Sequence, residues 1–308
     1  MSFLTSLLNS MPSAIAQGLI WGIMAIGVYI TYKILDIADL TVDGSLCTGG
    51  ATCVILLVNG KPMWLALLCA ILVGMIAGFV TGIFITKFGI PAILAGILTQ
   101  LALYSINLHI MGFNTDSFSK SNLPVSVDKY NLIVSSRYVR ELSFRNPILI
   151  TAIFVVVTIA ILYWFFGTEV GSAIRATGAN VNMARAQGIN TDRIKVLGLV
   201  ISNALVTLSG ALLAQYQGFS DINMGRGAVV IGLAAVIIGE VVFSKVFKNF
   251  ALILFSCVIG AIIYYAVIQF VLKLGLSTDD LKLLTAVVVA IFLAIPYWKS
   301  KYNKGGAK

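Results

Sequence analysis

Residues 63–86 read MWLALLCAILVGMIAGFVTGIFIT and carry no formal charge. A helix needs about 20 mostly apolar residues to cross the roughly 30 Å of hydrocarbon in a bilayer. This stretch is therefore predicted to be a membrane-spanning helix, and it sets the fold class of the chain. Its three glycines, Gly74, Gly78 and Gly82, recur at every fourth residue. Because this spacing lets two helix backbones approach closely in lipid, we expect the helix to pack tightly within a bundle.

The rest of the 308-residue chain has the same character. Its residues are 59% hydrophobic and 11% charged, whereas a soluble globular chain carries about 25% charged residues. This composition excludes a soluble enzyme, a coiled coil, a disordered chain and a nucleic-acid binder. Nine spans are predicted, which makes the chain an all-α integral protein of the lipid bilayer. The spans are Met1–Tyr32 (with its helix beginning near Pro12), Gly44–Gly60, Met63–Thr86, Phe88–Thr115, Asn146–Thr168, Val196–Ser220, Gly227–Ser244, Asn249–Leu272 and Leu283–Trp298.

The positions of Lys and Arg predict the orientation. With the N-terminus outside, twelve of the 21 Lys and Arg residues fall on the inner side, including the four in the tail 299–308. This bias favours an N-out, C-in topology. The chain is then one transmembrane domain, 1–308, with six parts. These are a first half (12–112), an outer loop (113–145), a linking helix (146–168), a cytoplasmic loop (169–195), a second half (196–298) and a basic cytoplasmic tail (299–308).

Two short polar passages interrupt the apolar sequence in similar ways. The first passage, DLTVDGS, covers residues 39–45, and the second passage, DINMGRG, covers residues 221–227. Both consist of residues that favour turns and helix starts. In the nine-span topology the first passage lies inside and the second outside. Spans 1–4 and 6–9 then form two inverted halves around span 5, a 4+1+4 arrangement typical of transporters with broken helices. Two ordinary Asx turns are the alternative. The candidate broken-helix residues are Asp39, Thr41, Asp43, Gly44 and Ser45 in the first passage and Asp221, Asn223 and Gly225 in the second.

Uncharged polar side chains within the spans are candidates for a substrate path. A path of amides and hydroxyls with few charges suits a small neutral or zwitterionic solute. Hydrogen bonds between helices satisfy such side chains equally well, so packing is the alternative for each of them. The candidates are Gln100, Asn107, Ser202, Asn203, Gln215 and Gln217.

The segment 169–195 is polar, basic and too long for a tight turn. Residues 182–186 are predicted to form a short helix, and Gly188 stands where a helix commonly ends. The segment could simply anchor the topology. However, its run MARAQGINTDRI (183–194) resembles the coupling loop of permease subunits of ATP-binding-cassette importers, in the branched-chain amino acid and ribose class. The resemblance extends to 22–51 and 221–239 and covers most of residues 12–300.

The resemblance implies a role for this segment. A short helix at about 180–187 would sit in a groove of a separate ATPase subunit and transmit the closure of the ATPase to the bundle. Many relatives have Glu-Ala-Ala before the glycine, whereas this chain has Ala-Arg-Ala-Gln-Gly, so Arg185 would face an acidic groove. The residues that would form or brace the contact are Asn180, Asn182, Met183, Ala184, Arg185, Gly188, Asn190, Asp192 and Arg193.

The resemblance also implies partners and a location. The chain would work as a homodimer with two ATPase subunits in a bacterial plasma membrane. A binding lipoprotein would deliver the solute outside, with the loop 113–145 as a candidate docking site. ATP and Mg would bind to the ATPase, and no cofactor is expected on this chain. Within the class, the likeness is greatest to permeases for amino acids, among them aromatic ones such as tryptophan and tyrosine.

Two other classes of protein are the alternatives. The chain has no GxxxxGK[ST] phosphate loop, so ATP hydrolysis would need another polypeptide. A secondary transporter needs a coupling carboxylate in the membrane, for which Glu240 is the candidate. A phosphotransferase could hold Mg²⁺ on Asp36, Asp39 and Asp43 along one helical face, but no further acidic cluster or basic anchor follows. These aspartates are instead expected to cap the second span and to line the cytoplasmic mouth. No metal site is predicted, and His109 and the four cysteines are interpreted as packing residues.

Overall fold

The computed structural model describes residues 3–113, 118–126, 129–130, 132–139, 143, 145–243 and 246–273, with scattered residues between 283 and 294. This part of the chain is almost entirely helical. Its helices are α1 (Phe3–Tyr29), α2 (Thr41–Val58), α3 (Met63–Thr86), α4 (Ala92–Gly112), α5 (Pro147–Phe166), α6 (Glu169–Ala179), α7 (Val181–Ala186), α8 (Thr191–Gln217), α9 (Ala228–Phe243) and α10 (Phe250–Lys273). The shorter elements are a π-helical turn (Ile30–Ile34), a 3₁₀ turn (Ser136–Tyr138) and the strands β1 (Asn122–Pro124) and β2 (Phe219–Asp221).

Seven of the described helices are long and apolar enough to cross a membrane. They are α1 with its π turn, α2, α3, α4, α5, α8 and α10. Helix α9 is apolar but has only 16 residues. The ninth predicted span, 283–298, falls mostly outside the described residues, as does the tail 299–308, so the count of nine stays a prediction. The expectation of a purely α-helical chain is wrong in one detail, because β1 and β2 pair as a two-stranded antiparallel sheet.

Helix α1 differs from the prediction at both ends. It starts at Phe3 and contains Pro12 in its interior, whereas the sequence predicted a start near Pro12. Membrane helices tolerate an internal proline where neighbouring groups satisfy the freed backbone. At the other end the helix widens into the π turn, where the N–H of Leu35 donates to the carbonyl of Ile30 at 3.0 Å. The helical path stops at Asp36, whose φ is +54°.

Helix α8 is the central helix of the bundle and packs against α1, α2 and α3. Gly74, Gly78 and Gly82 of α3 all face it, and a Cβ atom at any of them would lie 3.0 Å or less from atoms of α8. Gly210 of α8 faces the Leu46 carbonyl of α2 in the same way. The predicted close packing is confirmed, and it brings three helices to backbone contact.

Helix packing is reciprocal between the two halves of the chain. Helix α3 packs on α8, and α10 packs on α1, with Gly18 and Gly22 facing Ile262 and Val258. Likewise α2 packs on α8, and α9 packs on α1. Two repeats would produce this pattern. The 4+1+4 arrangement itself stays a prediction, because the counterpart of α4 would lie in 283–298.

Helices α2 and α9 both begin inside the bundle. Asn203 is the thirteenth of the 27 residues of α8, and its side chain accepts a hydrogen bond from Ser45 near the start of α2. Asp43, also in the first turn of α2, accepts a hydrogen bond from the N–H of Gly227, just before α9. The expectation that the two passages lie at opposite ends of the bundle is therefore wrong. After α8 the chain turns back through residues 218–227, so the passages meet halfway along α8.

Candidate functional site

Asp43 joins the two polar passages directly. Its Oδ2 accepts a hydrogen bond from the N–H of Gly227 at 3.0 Å, and its Oδ1 accepts one from the N–H of Val229 at 2.9 Å. A helix N-terminus carries free N–H groups and a partial positive charge, so this carboxylate caps α9. The sequence predicted that Asp43 caps its own helix and lines the cytoplasmic mouth. The structure corrects this, because α9 starts beside it.

The three aspartates of the phosphotransferase alternative do not share a helical face. Asp36 lies in the irregular link after the π turn, whereas Asp39 bonds to the N–H of Thr41 at 2.9 Å and Asp43 bonds to α9. Among the described residues, no group of three or more His, Cys, Asp or Glu side chains is placed to hold a metal ion.

Cys47 extends the contact between the passages by one helical turn. Its thiol donates to the carbonyl of Ile222 at 3.3 Å, and the N–H of Gly225 donates to its sulfur at 3.1 Å. Sequence reasoning interpreted Cys47 only as a packing residue. Its position four residues after Asp43 on one helix face was the signal that could have placed it at this contact.

Asn203 anchors the first passage to α8. Its Nδ2 donates to Asp39 Oδ2 at 2.8 Å and to the carbonyl of Leu199 at 3.0 Å, and its Oδ1 accepts from Ser45 Oγ at 2.6 Å. Asp39, Ser45 and Asn203 are all buried. Because unpaired buried polar groups are costly, this amide holds the two ends of the first passage in one position.

A chain of threonine hydroxyls ties the first passage to α3 and α4. Thr41 Oγ1 lies 2.9 Å from Thr81 Oγ1, and Thr81 donates to Thr99 Oγ1 at 2.9 Å. All three side chains are buried. Only Thr41 was predicted from the sequence, because Thr81 and Thr99 carry no local signal that distinguishes them from other threonines in apolar helices.

Two of the predicted path residues are engaged in hydrogen bonds within the protein. Ser202 donates to the carbonyl of Gly27 at 2.8 Å. Gln215 accepts from the N–H of Ile133 at 3.1 Å, and both side chains are fully buried. Gln217 is exposed at the end of α8.

Besides Asn203, the structure brings two further path residues, Gln100 and Asn107, together with the passages. They lie on α4 and line a cavity of about 130 Å³ with Asp43 and Gly44. Asn107 Nδ2 donates to the carbonyl of Gly44 at 3.4 Å. The cavity therefore lies where the first passage, the second passage and α4 meet.

The short helix predicted in the segment 169–195 is present as α7. Asn180 begins it and accepts a hydrogen bond from the N–H of Met183 at 3.0 Å. Asn190 begins α8 in the same manner and accepts from the N–H of Arg193 at 3.2 Å. Between them Gly188 has a φ of +82°, a left-handed conformation that glycine adopts without a steric penalty.

Arg185 braces α7 against α8. Its Nε donates to Thr191 Oγ1 at 2.8 Å, and its guanidinium pairs with Asp192 at 3.2 Å. Ala184 is buried beneath the short helix, whereas Asn182 is exposed and the Met183 side chain is 66% exposed. The short helix thus exposes Met183 at the surface of the bundle, while Arg185 ties it to α8.

The segment before α7 is more regular than predicted. Thr168 accepts a hydrogen bond from the N–H of Gly171 at 3.4 Å and starts α6, where the sequence predicted a loop. Gly178 of α6 packs against the Ile34 carbonyl and Leu35 at the end of the π turn. The exposed α7 is therefore one helix away from the link that leads into the first passage.

The outer loop contacts the second passage through the two-stranded sheet. Asn122 pairs with Asp221, and the N–H of Val125 donates to the carbonyl of Gly218 at 2.8 Å. Asp221 also accepts from the N–H of Asn223 at 2.7 Å, as in an Asx turn. This pairing of residues from distant parts of the chain had no signal in either segment alone.

Glu240 and His109 each contact a side chain that is close in space. Lys33 Nζ lies 2.9 Å from Glu240, and both side chains are about half exposed. The ion pair links the π turn to the far end of α9. The His109 ring meets Phe118 edge to face, with 5.3 Å between centroids, which agrees with a packing role.

The structure has the features expected of a multi-pass permease of the class that the sequence resemblance indicated, namely seven apolar helices, two helices that begin in mid-bundle and an exposed short helix. The chain belongs to the family of the permease component of branched-chain amino acid transport systems, whose model matches residues 10–303.

Individual relatives agree with this family. The chain is 42% identical over 301 residues to a tyrosine transport system permease protein of Clostridioides difficile (strain R20291), covering 98% of this chain and 96% of that protein. It is 33% identical to an uncharacterized protein of Rickettsia prowazekii (strain Madrid E), over 93% of this chain and 98% of that protein. A shorter match, 31% identical over 56% of this chain and 46% of the relative, is to an autoinducer 2 import system permease protein of Yersinia pseudotuberculosis serotype O:1b.

The fold also resembles a solved structure. The match is to PsaBC from Streptococcus pneumoniae in complex with Fab, with a TM-score of 0.51 and 15% identity, and it covers 95% of this chain and 91% of that chain. This similarity concerns the fold alone.

Proposed function

We propose that this permease moves a small zwitterionic amino acid inward across a bacterial plasma membrane, with tyrosine as the first candidate. Two copies would pair in an N-out, C-in orientation, each as a 4+1+4 inverted repeat. Two separate ATPase subunits, which bind ATP and Mg²⁺, would dock at the cytoplasmic face, and a binding lipoprotein would deliver the solute outside. The tyrosine transport permease at 42% identity supports the choice of cargo.

The observation that carries the proposal is the projecting helix α7. Asn180 caps its start, the chain leaves the helix at Gly188, and Arg185 braces the helix to α8. A coupling element has to be exposed and rigid, because it must contact a partner and transmit force without deforming. Its exposed tip at Met183 and the ion pair beneath it fit both requirements.

A route from α7 into the bundle supports the coupling role. Helix α6 packs through Gly178 against the carbonyl of Ile34, in the π turn. A π turn often marks a functional site in a helix, and here it leads to Asp39 and the passages. Movement of α6 and α7 would therefore reach the π turn first and the start of α2 next.

The outer loop supplies a matching route from the other side. Strand β1 pairs with β2, which leads into the second passage and the capped start of α9. A lipoprotein that docks on the loop 113–145 would contact the element that continues into α9. Both routes converge on Asp43, which is the expected geometry for alternating access.

Co-purification tests the proposal. Met183→Glu places a charge on the exposed tip of α7, and Arg185→Glu with Gly188→Trp removes its brace and its end. We expect either variant to lower the amount of co-purified ATPase and the rate of ATP-driven tyrosine uptake by at least tenfold. Lys61→Glu, an exposed charge change in the link between α2 and α3, is the matched control and leaves both unchanged.

Two results would contradict the proposal. One is that no ATPase co-purifies with the wild-type chain. The other is that the α7 variants transport normally while an ion gradient drives uptake without ATP, which would favour a secondary transporter instead.

A further inference from the structure

The cavity beside Asp43 has the dimensions of a small polar group. We call it the head-group pocket; it lies between α2, α4 and the second passage and has a volume of about 130 Å³. A cavity needs about 10–15 Å³ of solvent-accessible volume to hold one water molecule, so the pocket has room for several heavy atoms. The ammonium, the α-carbon and the carboxylate of an amino acid are five heavy atoms.

Asn107 supplies an acceptor with no partner. Its side chain lines the pocket and is 1% exposed. Its Nδ2 donates to the carbonyl of Gly44, but its Oδ1 has no hydrogen-bond partner among the described residues. A buried unpaired carbonyl oxygen is costly, and a ligand N–H group in the pocket would satisfy it.

Opposite charges flank the pocket. Each oxygen of Asp43 accepts one backbone N–H and keeps further acceptor capacity. Arg226 also lines the pocket; it is exposed, and its guanidinium makes no ion pair with any described residue. Acceptor oxygens and a guanidinium in the lining of one pocket complement a zwitterion.

We propose that the head-group pocket binds the α-ammonium and α-carboxylate of the transported amino acid. The ammonium donates to Asn107 Oδ1 and Asp43, and the carboxylate accepts from Arg226 and the amide of Gln100. The side chain extends along the exposed face of α4, where Leu101 is 64% exposed and Tyr104 is 42% exposed. This inference rests on the proposed transport of an amino acid, and it names the groups by which the permease recognises its cargo.

Transport by the complete system tests the pocket. The permease, its ATPase and the lipoprotein are placed in proteoliposomes, and L-tyrosine uptake is measured per ATP hydrolysed. Hydrogen bonds to charged groups are strong, so Arg226→Gln and Asn107→Leu are expected to lower this ratio at least tenfold. Arg226→Lys should retain part of the uptake per ATP hydrolysed, and the control Lys61→Gln should leave this ratio unchanged.

Competition binding tests which chemical class of ligand the head-group pocket accepts. Radiolabelled L-tyrosine is bound to the purified permease–ATPase complex without the lipoprotein. Unlabelled L-tyrosine should compete, whereas tyramine, which lacks the carboxylate, and 3-(4-hydroxyphenyl)propionate, which lacks the ammonium, should not. Specific binding should be lost in Arg226→Gln. Absence of binding in the wild type, or equal competition by either analogue, would overturn the inference.

The outcomes separate this inference from the proposed function. If the ATPase assembles and responds to the loaded lipoprotein while both pocket variants transport as the wild type does, only the pocket is refuted. If Arg226→Gln abolishes the stimulated ATP hydrolysis itself, Arg226 serves assembly, which also overturns the inference. If no ATPase assembles with the wild type, the proposed function fails.

Discussion

The two polar passages use one local device in two different settings. Asp39 accepts from the N–H of Thr41 at 2.9 Å, and Asp221 accepts from the N–H of Asn223 at 2.7 Å. Each Asx turn precedes a helix that begins in mid-bundle. The first passage is buried and held by α8, α3 and α4, whereas the second is partly exposed and held by β1 and by Asp43 and Cys47 of α2.

This difference indicates which passage moves. A passage whose polar groups are all paired inside the bundle is fixed by the cost of unpairing them. The second passage is tied to an outer loop and, through Asp43 and Cys47, to the single helix α2, so one helix and not three opposes its displacement. We expect the first passage to act as a fixed frame and the second passage, with α9, as the element that responds to docking.

The largest expected effect is on the fixed frame. Asn203→Leu leaves the buried carboxylate of Asp39 and the hydroxyl of Ser45 without their partner, and we expect a loss of roughly 3 kcal/mol in the free energy of unfolding. Ser202→Ala, the matched control on the same helix, removes one hydroxyl bond and costs about 1 kcal/mol. Denaturation of the purified protein measures both. Equal stability of the two variants would show that the first passage is not held by Asn203.

A smaller and local effect is expected at the second passage. Asp43→Ala removes the cap of α9 and should destabilise its first turn by about 1–2 kcal/mol. Hydrogen exchange should then accelerate in residues 225–232 and stay unchanged in the helix that follows residue 45. Asp221→Ala, which removes only an Asx-turn bond, is the control. Faster exchange spread evenly over both passages would break the distinction between frame and moving element.

The smallest effect is expected at the far end of α9. The pair Lys33–Glu240 is about half exposed, and such pairs contribute about 1 kcal/mol or less. A double-mutant cycle with Lys33→Gln and Glu240→Gln should give a coupling energy in that range that falls as salt is added. A coupling energy of several kcal/mol would instead make this ion pair a fixed contact of α9.

Local rules predicted those parts of the molecule whose cause lies within a few residues. The uncharged stretch 63–86 predicted α3, and its glycine spacing predicted a close helix neighbour. Gly188 predicted the end of α7, because such an end depends on one backbone angle, whereas a start near Asn180 came only from the family resemblance. The sequence also predicted the turns of the two passages, but it did not predict the position of either passage in the bundle.

Features that join distant residues could not be predicted in this way. Asp43 and Gly227 are 184 residues apart, and neither shows which helix the carboxylate will cap. The pairing of β1 with β2, the role of Cys47 and the threonine chain likewise depend on neighbours that only folding supplies. Helix α6 was missed although Thr168 caps it locally, and its buried side packs on α5, α8 and the π turn.

The amino-acid order alone determined that this chain enters a bilayer, that its helices pack closely through glycine and that a short capped helix projects from it. These properties follow from transfer energies, side-chain size and backbone conformation, which act over a few residues. The tertiary structure decided that the two passages meet in mid-bundle and that Asp43, Asn107 and Arg226 flank one pocket. These contacts depend on how the whole chain buries its polar groups, because the partner of a buried polar group can lie anywhere in the sequence.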